Sequence, residues 1–471
     1  KKEILLKRGK KNGLFIYNEF SDLFESIVLP SVDSNRNVFV NTLLEDSNTG
    51  SLWVGTEGEL FRYSFNTKHV VSIPLFHGNS IKSLAFDSTG QLLIGTDNGL
   101  FIYNIQEEKI DHIVHDSRVS RSLTNNIIWS IFKDREDNIW LGTDYNISIA
   151  HNNKVYQSIP ISQISGGGAG NRFYVLHRDS HLNYWLGGTN GVLFTPSLYD
   201  DKHSIWFKMG DSNHAISHNR IRHIYEDHSH NIWLATDGGI HCYSYENQQF
   251  KSYSIVDSTG VYNANWAYYL YEDQHNNFWI ASFLGGILIV DKEKLKKSSG
   301  IYVAETFYNT TNGLSGNSVN HIIEDKLGVI WVLLYNKGIN TINPTTGEIK
   351  VVQLTEQKDE QPNFIISDSD GIVWVAFKNE LKRVDVTTSS IETIAIDTFG
   401  ENEVLYMLEE TDRIWLLTNQ GVFIVNRTTY DVQRVSVLGQ SFTAGYYDSV
   451  DNKVYLGASD EVIVVSPAVL N

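Results

Sequence analysis

The stretch NIWLATDGGIHCYS, Asn231–Ser244, decides the fold, because the chain repeats it. Upstream it recurs as SLWVGTEGELFRYS from Ser51, QLLIGTDNGLFIYN from Gln91, NIWLGTDYNISIAH from Asn138 and NYWLGGTNGVLFTP from Asn183. Downstream it continues as NFWIASFLGGILIVD from Asn277, VIWVLLYNKGINTINP from Val329, IVWVAFKNELKRVD from Ile372, RIWLLTNQGVFIVN from Arg413 and KVYLGASDEVIVVS from Lys453. The anchors Trp53, Leu93, Trp140, Trp185, Trp233, Trp279, Trp331, Trp374, Trp415 and Tyr455 stand 40 to 52 residues apart. NGLFIYN at Asn12–Asn18, identical to Asn98–Asn104, opens a further partial unit. Within each unit an apolar run ends in an acidic turn such as IYED (Ile224–Asp227), followed by the anchor strand, a Gly- or Asn-centred turn and a third alternating strand. A weaker fourth, such as FKSYSIV at Phe250–Val256, closes it. Short β-rich runs parted by such turns read as a four-stranded meander, and a meander repeated near every 45 residues is the mark of a β-propeller blade.

About ten and a half blades exceed one ordinary ring of four to eight. The fold expected is all-β, two propellers in tandem: residues 1–163 as a first, incomplete or truncated ring, and residues 164–471 as a second, seven-bladed one. Seven anchors counted back from Tyr455 reach Trp185, and VYQSIPI at Val155–Ile161 is placed to supply the strand that closes the last blade. The Gly-rich SGGGAGN, Ser165–Asn171, falls near the junction.

Composition agrees with packed β structure. Aromatic residues are 12% and charged residues 20% of the 471, with 7 prolines, which excludes disordered, collagenous and coiled-coil chains. A net charge of −17 repels nucleic-acid backbones and anionic lipid, so any anionic partner needs a local basic patch. The single cysteine, Cys242, cannot form an internal disulfide, and no zinc-ligand spacing occurs. The apolar run Ile4–Leu6 is shorter than a signal-peptide core, and no stretch approaches the 18 apolar residues of a membrane span.

Several residue groups invite a functional reading. Eight of the 11 tryptophans are anchors, and a residue that recurs once per blade is read as packing between blades. The acidic turns resemble the Asp-boxes of sialidases; their Asp and Asn side chains are read as turn-stabilising, since the regular carboxylate spacing of a calcium loop is missing. His214, His218, His223, His228 and His230 lack a metal-site pattern and are read as surface and turn residues. A sharper signal is an Asn fourteen residues before the anchor in five consecutive units: Asn126, Asn171, Asn219, Asn265 and Asn317. Asn suits a sharp turn, but the residues one and three places after it vary from blade to blade. By the strand period of two these pairs share a face, so Arg172, Tyr174, Arg220, Arg222, Trp266 and Tyr268, beside Asn265, converge on one mouth of the central channel. Arginine forks grip carboxylate or sulfate and aromatic faces stack on sugars, which makes this the expected ligand site, with a place between the two propellers as the alternative. The alternative is that the arginines merely pair with acids such as Glu226 or Asp227.

Blades of this form resemble the two-component regulator propellers, periplasmic sensor regions of hybrid two-component systems in Bacteroides-type bacteria. The resemblance rests on NIWLGTDYNIS (Asn138–Ser148), RIRHIYEDHSHNIWLATDGGI (Arg220–Ile240), YNANWAYYLYED (Tyr262–Asp273), GGILIVDKEKL (Gly285–Leu295) and VIWVLLYNKGINTINP (Val329–Pro344). It implies a periplasmic, non-enzymatic region that binds a carbohydrate, an anionic oligosaccharide included, and signals to a kinase in downstream domains, through which subunits would pair as a homodimer. No cofactor, metal, nucleic-acid partner or membrane segment is expected in these residues. Two other readings stand beside it. One is a sialidase- or lyase-like propeller enzyme using Tyr174, Tyr268 and the nearby arginines. The other is a protein-interaction scaffold, which propellers often are.

Overall fold

In the computed structural model the described residues are all those outside 1–3, 7–12, 19, 31–37, 118–121, 136, 151–154, 166–170, 200–201, 212–214, 274, 357–359, 397–402 and 471. They form eleven small sheets, almost entirely antiparallel, in two compact units, Lys1–Asn153 and Lys154–Asn471. The division falls earlier than the 163/164 boundary expected from sequence, because Tyr156–Pro160 belongs to the second unit. Of the Gly-rich junction stretch, residues 166–170 lie outside the described residues.

The second unit has seven blades. Their inner strands are Phe173–Arg178 (blade 1), Ile221–Glu226 (blade 2), Ala267–Glu272 (blade 3), Val319–Glu324 (blade 4), Phe364–Ser367 (blade 5), Val404–Glu410 (blade 6) and Ala444–Asp448 (blade 7). In blade 7 the outer strand comes from the other end of the unit: Tyr156–Pro160 pairs antiparallel with Glu461–Val465, Tyr156 opposite Val465. The widest anchor spacing, between Trp279 and Trp331, is explained in blade 3. There the helix Lys292–Lys297 and a strand Ile301–Val303, parallel to the outer strand of blade 2, are inserted before Thr306–Tyr308 completes the blade.

Packing follows one rule. Each anchor is buried against the next blade: Trp185 with Ile221 and Leu234, Trp233 with Ala267 and Ile280, Trp279 with Val319 and Val332. The series ends with Tyr455, which packs on Phe173 and Leu186 of blade 1. Seven blades with seven shared cores make a closed ring. The seam is also hydrogen-bonded, with the Asp460 amide donating to the Asn171 carbonyl (2.9 Å) and the Asn171 amide to Asp460 Oδ1 (2.8 Å). Close approach of neighbouring blades explains Gly187 in the anchor strand, since a Cβ there would lie 2.7 Å from Cγ2 of Ile221.

The acidic turns and anchors are one device. Asp227 Oδ1 accepts the amides of Ser229 and Asn231 (both 2.9 Å), while Oδ2 accepts the indole N–H of Trp233 at 2.8 Å. The same acid-to-indole bond, six residues apart, joins Asp134–Trp140, Asp179–Trp185, Asp273–Trp279, Asp325–Trp331 and Asp368–Trp374 at 2.7–3.0 Å. A buried indole needs such an acceptor. Where one extra residue sets the turn acid, Asp46, seven places before its anchor, the Trp53 indole N–H has no partner among the described residues.

The first unit has four sheets, with strands beginning at Ile4, Val40, Ile81 and Ile128. Three shared cores join them by the same rule, Trp53 packing on the sheet of Ile81–Phe86. The last anchor of this unit, Trp140, is 37% exposed.

Candidate functional site at the channel mouth of the second unit

The inner strands carry a feature that alternation does not foresee. In blades 1–4 and 6 the pairing register slips by one residue near the start of the strand, at Tyr174, Arg222, Tyr268, Asn320 and Leu405. A bulge of this kind turns two consecutive side chains toward the same side. Both therefore face the ring axis: Arg222 with His223, Tyr268 with Tyr269, Asn320 with His321. These residues line a cavity of about 350 Å3 to which all seven blades contribute, from Tyr174 in blade 1 to Thr443 in blade 7.

The second residue of each pair forms the cavity's floor. His223 stacks on Tyr269 with ring centroids 3.8 Å apart, Tyr269 on His321 at 3.9 Å, and the series continues through Phe364 (4.8 Å) to Tyr406 (5.1 Å). Burial lowers the pKa of His321 to about 3. Burial, together with the nearby His321 and His177, lowers that of His223 as well, so both imidazoles are neutral at physiological pH. Burial also pushes the Tyr406 phenol up to about 12.

The first residues of the pairs form the wall. Arg222 is held as a fork on Asp237, Nε donating to Oδ1 at 2.7 Å and Nη2 to Oδ2 at 2.9 Å. Its guanidinium lies 4.3 Å from the Tyr268 ring and 5.6 Å from that of Tyr174, a cation–π sandwich between blades 1 and 3. Burial opposes the charge, and the Asp237 bond outweighs it, raising the Arg222 pKa.

Above the wall lies an aromatic rim. Tyr268 stacks on Phe283 at 4.9 Å; Phe283 also meets Trp266 (5.9 Å) and Tyr335 (5.7 Å). Trp266 and Tyr335 are about half exposed, which is unusual for large aromatics.

Of the residues expected from sequence, Tyr174, Arg222 and Tyr268 line the cavity. Trp266 stands at the rim, and Arg220 Nη1 reaches Asp237 Oδ2 at 3.5 Å, the oxygen that Arg222 Nη2 also uses, so the carboxylate partner of these two arginines is Asp237 and not Glu226 or Asp227. Arg172 is exposed and outside the cavity lining. Asn265 is exposed and outside it too. Its equivalents Asn219 and Asn317 act structurally: their carbonyls accept the amides of Gly191 and Gly286 in the preceding blade at 2.6 and 2.8 Å.

Sequence reasoning missed two sets. His223, Tyr269 and His321 were hidden by the bulge, which breaks the alternation used to choose facing residues; His223 lies in the channel floor, not on the surface. Asp237, Phe283 and Tyr335 each stand four residues after the anchor, a variable place inside the repeats that a second comparison across blades would expose. The other histidines of the 214–230 cluster are dispersed, His228 beside Glu272 and His230 beside Glu226, while His214 lies outside the described residues. Among the described residues no group of three metal-ligating side chains occurs, and no helix is long and apolar enough to cross a membrane.

With this geometry in hand, known proteins give context. The profile of the family described as two component regulator propeller matches residues 122–145 and 215–238; the second match contains Arg220, Arg222 and Asp237. No curated protein matches the sequence. Among solved structures, the chain is similar to the extracellular domain of the putative hybrid two component system BT4673 from B. thetaiotaomicron, with 46% identity and a TM-score of 0.68 over 98% of this chain and 62% of that one. A second structure of the BT4673 extracellular domain, there titled a putative one component system, gives 45% identity and a TM-score of 0.67 over 98% of this chain and 64% of that one. The extracellular domain of the putative hybrid two component system BT3049 from the same organism shares the fold, at 19% identity and a TM-score of 0.70 over all of this chain and 61% of that one. The chain thus spans less than two thirds of the length of these relatives. Its repeats and fold are those of a two-component regulator propeller region, similar over 98% of its length to the extracellular domain of a putative hybrid two component system.

Proposed function

We propose that this chain is the ligand-sensing part of an extracytoplasmic sensor, which in a Bacteroides-type cell is periplasmic, and that it binds a carbohydrate at the channel mouth of the second unit. The observation that carries the reading is the Arg222 sandwich between Tyr174 and Tyr268 beneath the Trp266–Phe283–Tyr335 rim. Exposed aromatic faces set around convergent polar groups are what a sugar needs, since its ring has apolar C–H faces and a polar edge. The cavity draws on all seven blades, so a ligand there biases the packing of the whole ring, and a kinase in a longer protein would read that bias as a shift in population. This region itself performs no chemistry in this account.

Calorimetry of the chain against a panel of oligosaccharides tests the reading. A binder is expected whose affinity falls at least tenfold in Tyr268→Ala and in Trp266→Ala. A confirmed carbohydrate ligand indifferent to both substitutions would move the site elsewhere.

A further inference from the structure

Resting on that carbohydrate reading, we propose that the channel cavity is selective for an uncharged sugar residue, inserted end-on, over the uronate or sulfate form of the same sugar. Sequence alone pointed the other way, because three arginines gather in an acidic protein. The structure changes the sum of charge at the cavity.

Among the described residues Arg222 is the only formally charged side chain in the lining, and no carboxylate lines it. Its charge is engaged by Asp237 in two charge-assisted bonds, and the rings of Tyr268 and Tyr174 lie 4.3 and 5.6 Å from its guanidinium. An anionic group entering the cavity would lose its water without gaining a free cation, or would have to displace Asp237; burying an uncompensated charge costs several kcal/mol. The imidazoles do not supply a cation either, since burial keeps His223 and His321 neutral.

What remains is a set of groups that both donate and accept. A neutral imidazole has one nitrogen of each kind, a phenol hydroxyl does both, and a carboxamide carries a donor and an acceptor. His321, Tyr268, Asn320 and Asn363 stand in the lining, together with His223, whose Nδ1 already accepts the Leu270 amide at 3.2 Å and whose Nε2 is left to donate. Sugar hydroxyls likewise donate and accept, so they match this set where a carboxylate or sulfate, which only accepts, does not.

Shape fixes the mode of entry. The rings of His223, Tyr269, His321, Phe364 and Tyr406 adjoin one another through five successive blades, so an entering group meets a continuous arc of rings deep in the cavity. At about 350 Å3 the cavity is at the small end of ligand pockets, room for the end of an oligosaccharide. The rest would lie along the rim on Trp266 and Tyr335. Arg172 and Arg220 are outside the lining, at the solvent side.

The test uses the full chain and matched carbohydrate pairs: neutral hexose di- and trisaccharides, and the same compounds with one terminal hexose replaced by its uronic acid or bearing a sulfate. Calorimetry is expected to find a neutral member bound at least tenfold tighter than its charged partners. Asn320→Ala is expected to weaken the neutral ligand about tenfold. Asp237→Asn frees the Arg222 charge, and is expected to narrow or reverse the preference by gaining affinity for the uronate or sulfate form. Near-ultraviolet circular dichroism checks that each variant is folded. If the wild-type chain prefers the charged members, the inference is overturned while the carbohydrate reading stands. If no member of either set binds, both fall. If a neutral sugar binds but Asn320→Ala and Asp237→Asn, both folded, leave the two affinities unchanged, the cavity is not its site and the inference falls alone.

Discussion

The two units are built from the same repeat and differ, among the described residues, in what covers their blades. In the second unit every anchor has a following blade, and Trp185, Trp233, Trp374 and Trp415 are wholly buried. In the first, four sheets share three cores, and Trp140 in the last of them is 37% exposed, with Trp129, Phe132 and Ile147 exposed on the same sheet. The inner-strand bulge occurs in both, at Asn41, Lys82 and Trp129 in the first unit. There the side chains find only local partners: Lys82 lies 4.3 Å from the Trp129 ring, whose indole N–H donates to Asp144 at 3.0 Å, and Trp129 stays 54% exposed. In the second unit the bulge positions of successive blades line one cavity. The repeat supplies the groups, and the seven-bladed ring of the second unit gathers them into one cavity.

The comparison can be broken first through the anchors. Trp233→Ala removes a wholly buried indole from the core shared by blades 2 and 3 and is expected to cost about 3–5 kcal/mol. Trp140→Ala is expected to cost about 1 kcal/mol or less. Denaturant unfolding of the two variants checks this; equal losses would mean that Trp140 is covered as fully as Trp233.

The next effect belongs to the second unit alone. Lys292, 2% exposed, bridges Glu272 (2.6 Å) and Asp227 (3.3 Å), tying blade 3 to blade 2. Lys292→Ala leaves two buried carboxylates without their cation and is expected to cost about 3 kcal/mol, seen in the same unfolding measurement. Its loss would sharpen the comparison by lowering only the second unit's transition.

A smaller effect is expected with pH. Burial alone would raise the Glu226 carboxyl, but hydrogen bonds from His177, Ser180 and His230 outweigh it and bring its pKa down to about 2. The resulting stability is present above the ordinary carboxylate pKa of about 4.3 and is lost as pH falls from there toward 2. Allowing for screening by solvent it amounts to about 1 kcal/mol, and Glu226→Gln is expected to flatten that part of the stability–pH curve. Smallest of all, Trp266→Ala and Tyr335→Ala at the rim are expected to change stability by no more than about 0.5 kcal/mol while weakening ligand. A large loss of stability from either would make the rim part of the packing and not a binding surface.

Much of the fold was legible because a blade is a local object. Anchor, acidic turn and Gly turn sit within some 25 residues, and their recurrence marks every sheet. The 471-residue length, read through that period, also places Tyr156–Pro160 as the outer strand beside Glu461–Val465, which the structure pairs. The site was legible only in part. Tyr174, Arg222 and Tyr268 follow from alternation, but His223, Tyr269 and His321 are one residue further on, and a one-residue bulge leaves no signature in residue type. The role of Asp237 was hidden for a different reason. It lies in another strand connection from Arg222, and only the folded blade brings the two within 3 Å.

The central claim is that the seven-bladed ring of the second unit gathers the ligand site. Hydrogen–deuterium exchange of the full chain, with and without a saturating neutral oligosaccharide found by calorimetry, tests it most directly. The account predicts slower exchange confined to the starts of the second unit's inner strands, around residues 220–223, 266–269 and 318–321, with the first unit unchanged. Protection confined to the first unit, or to the outer strands of the second, would contradict it.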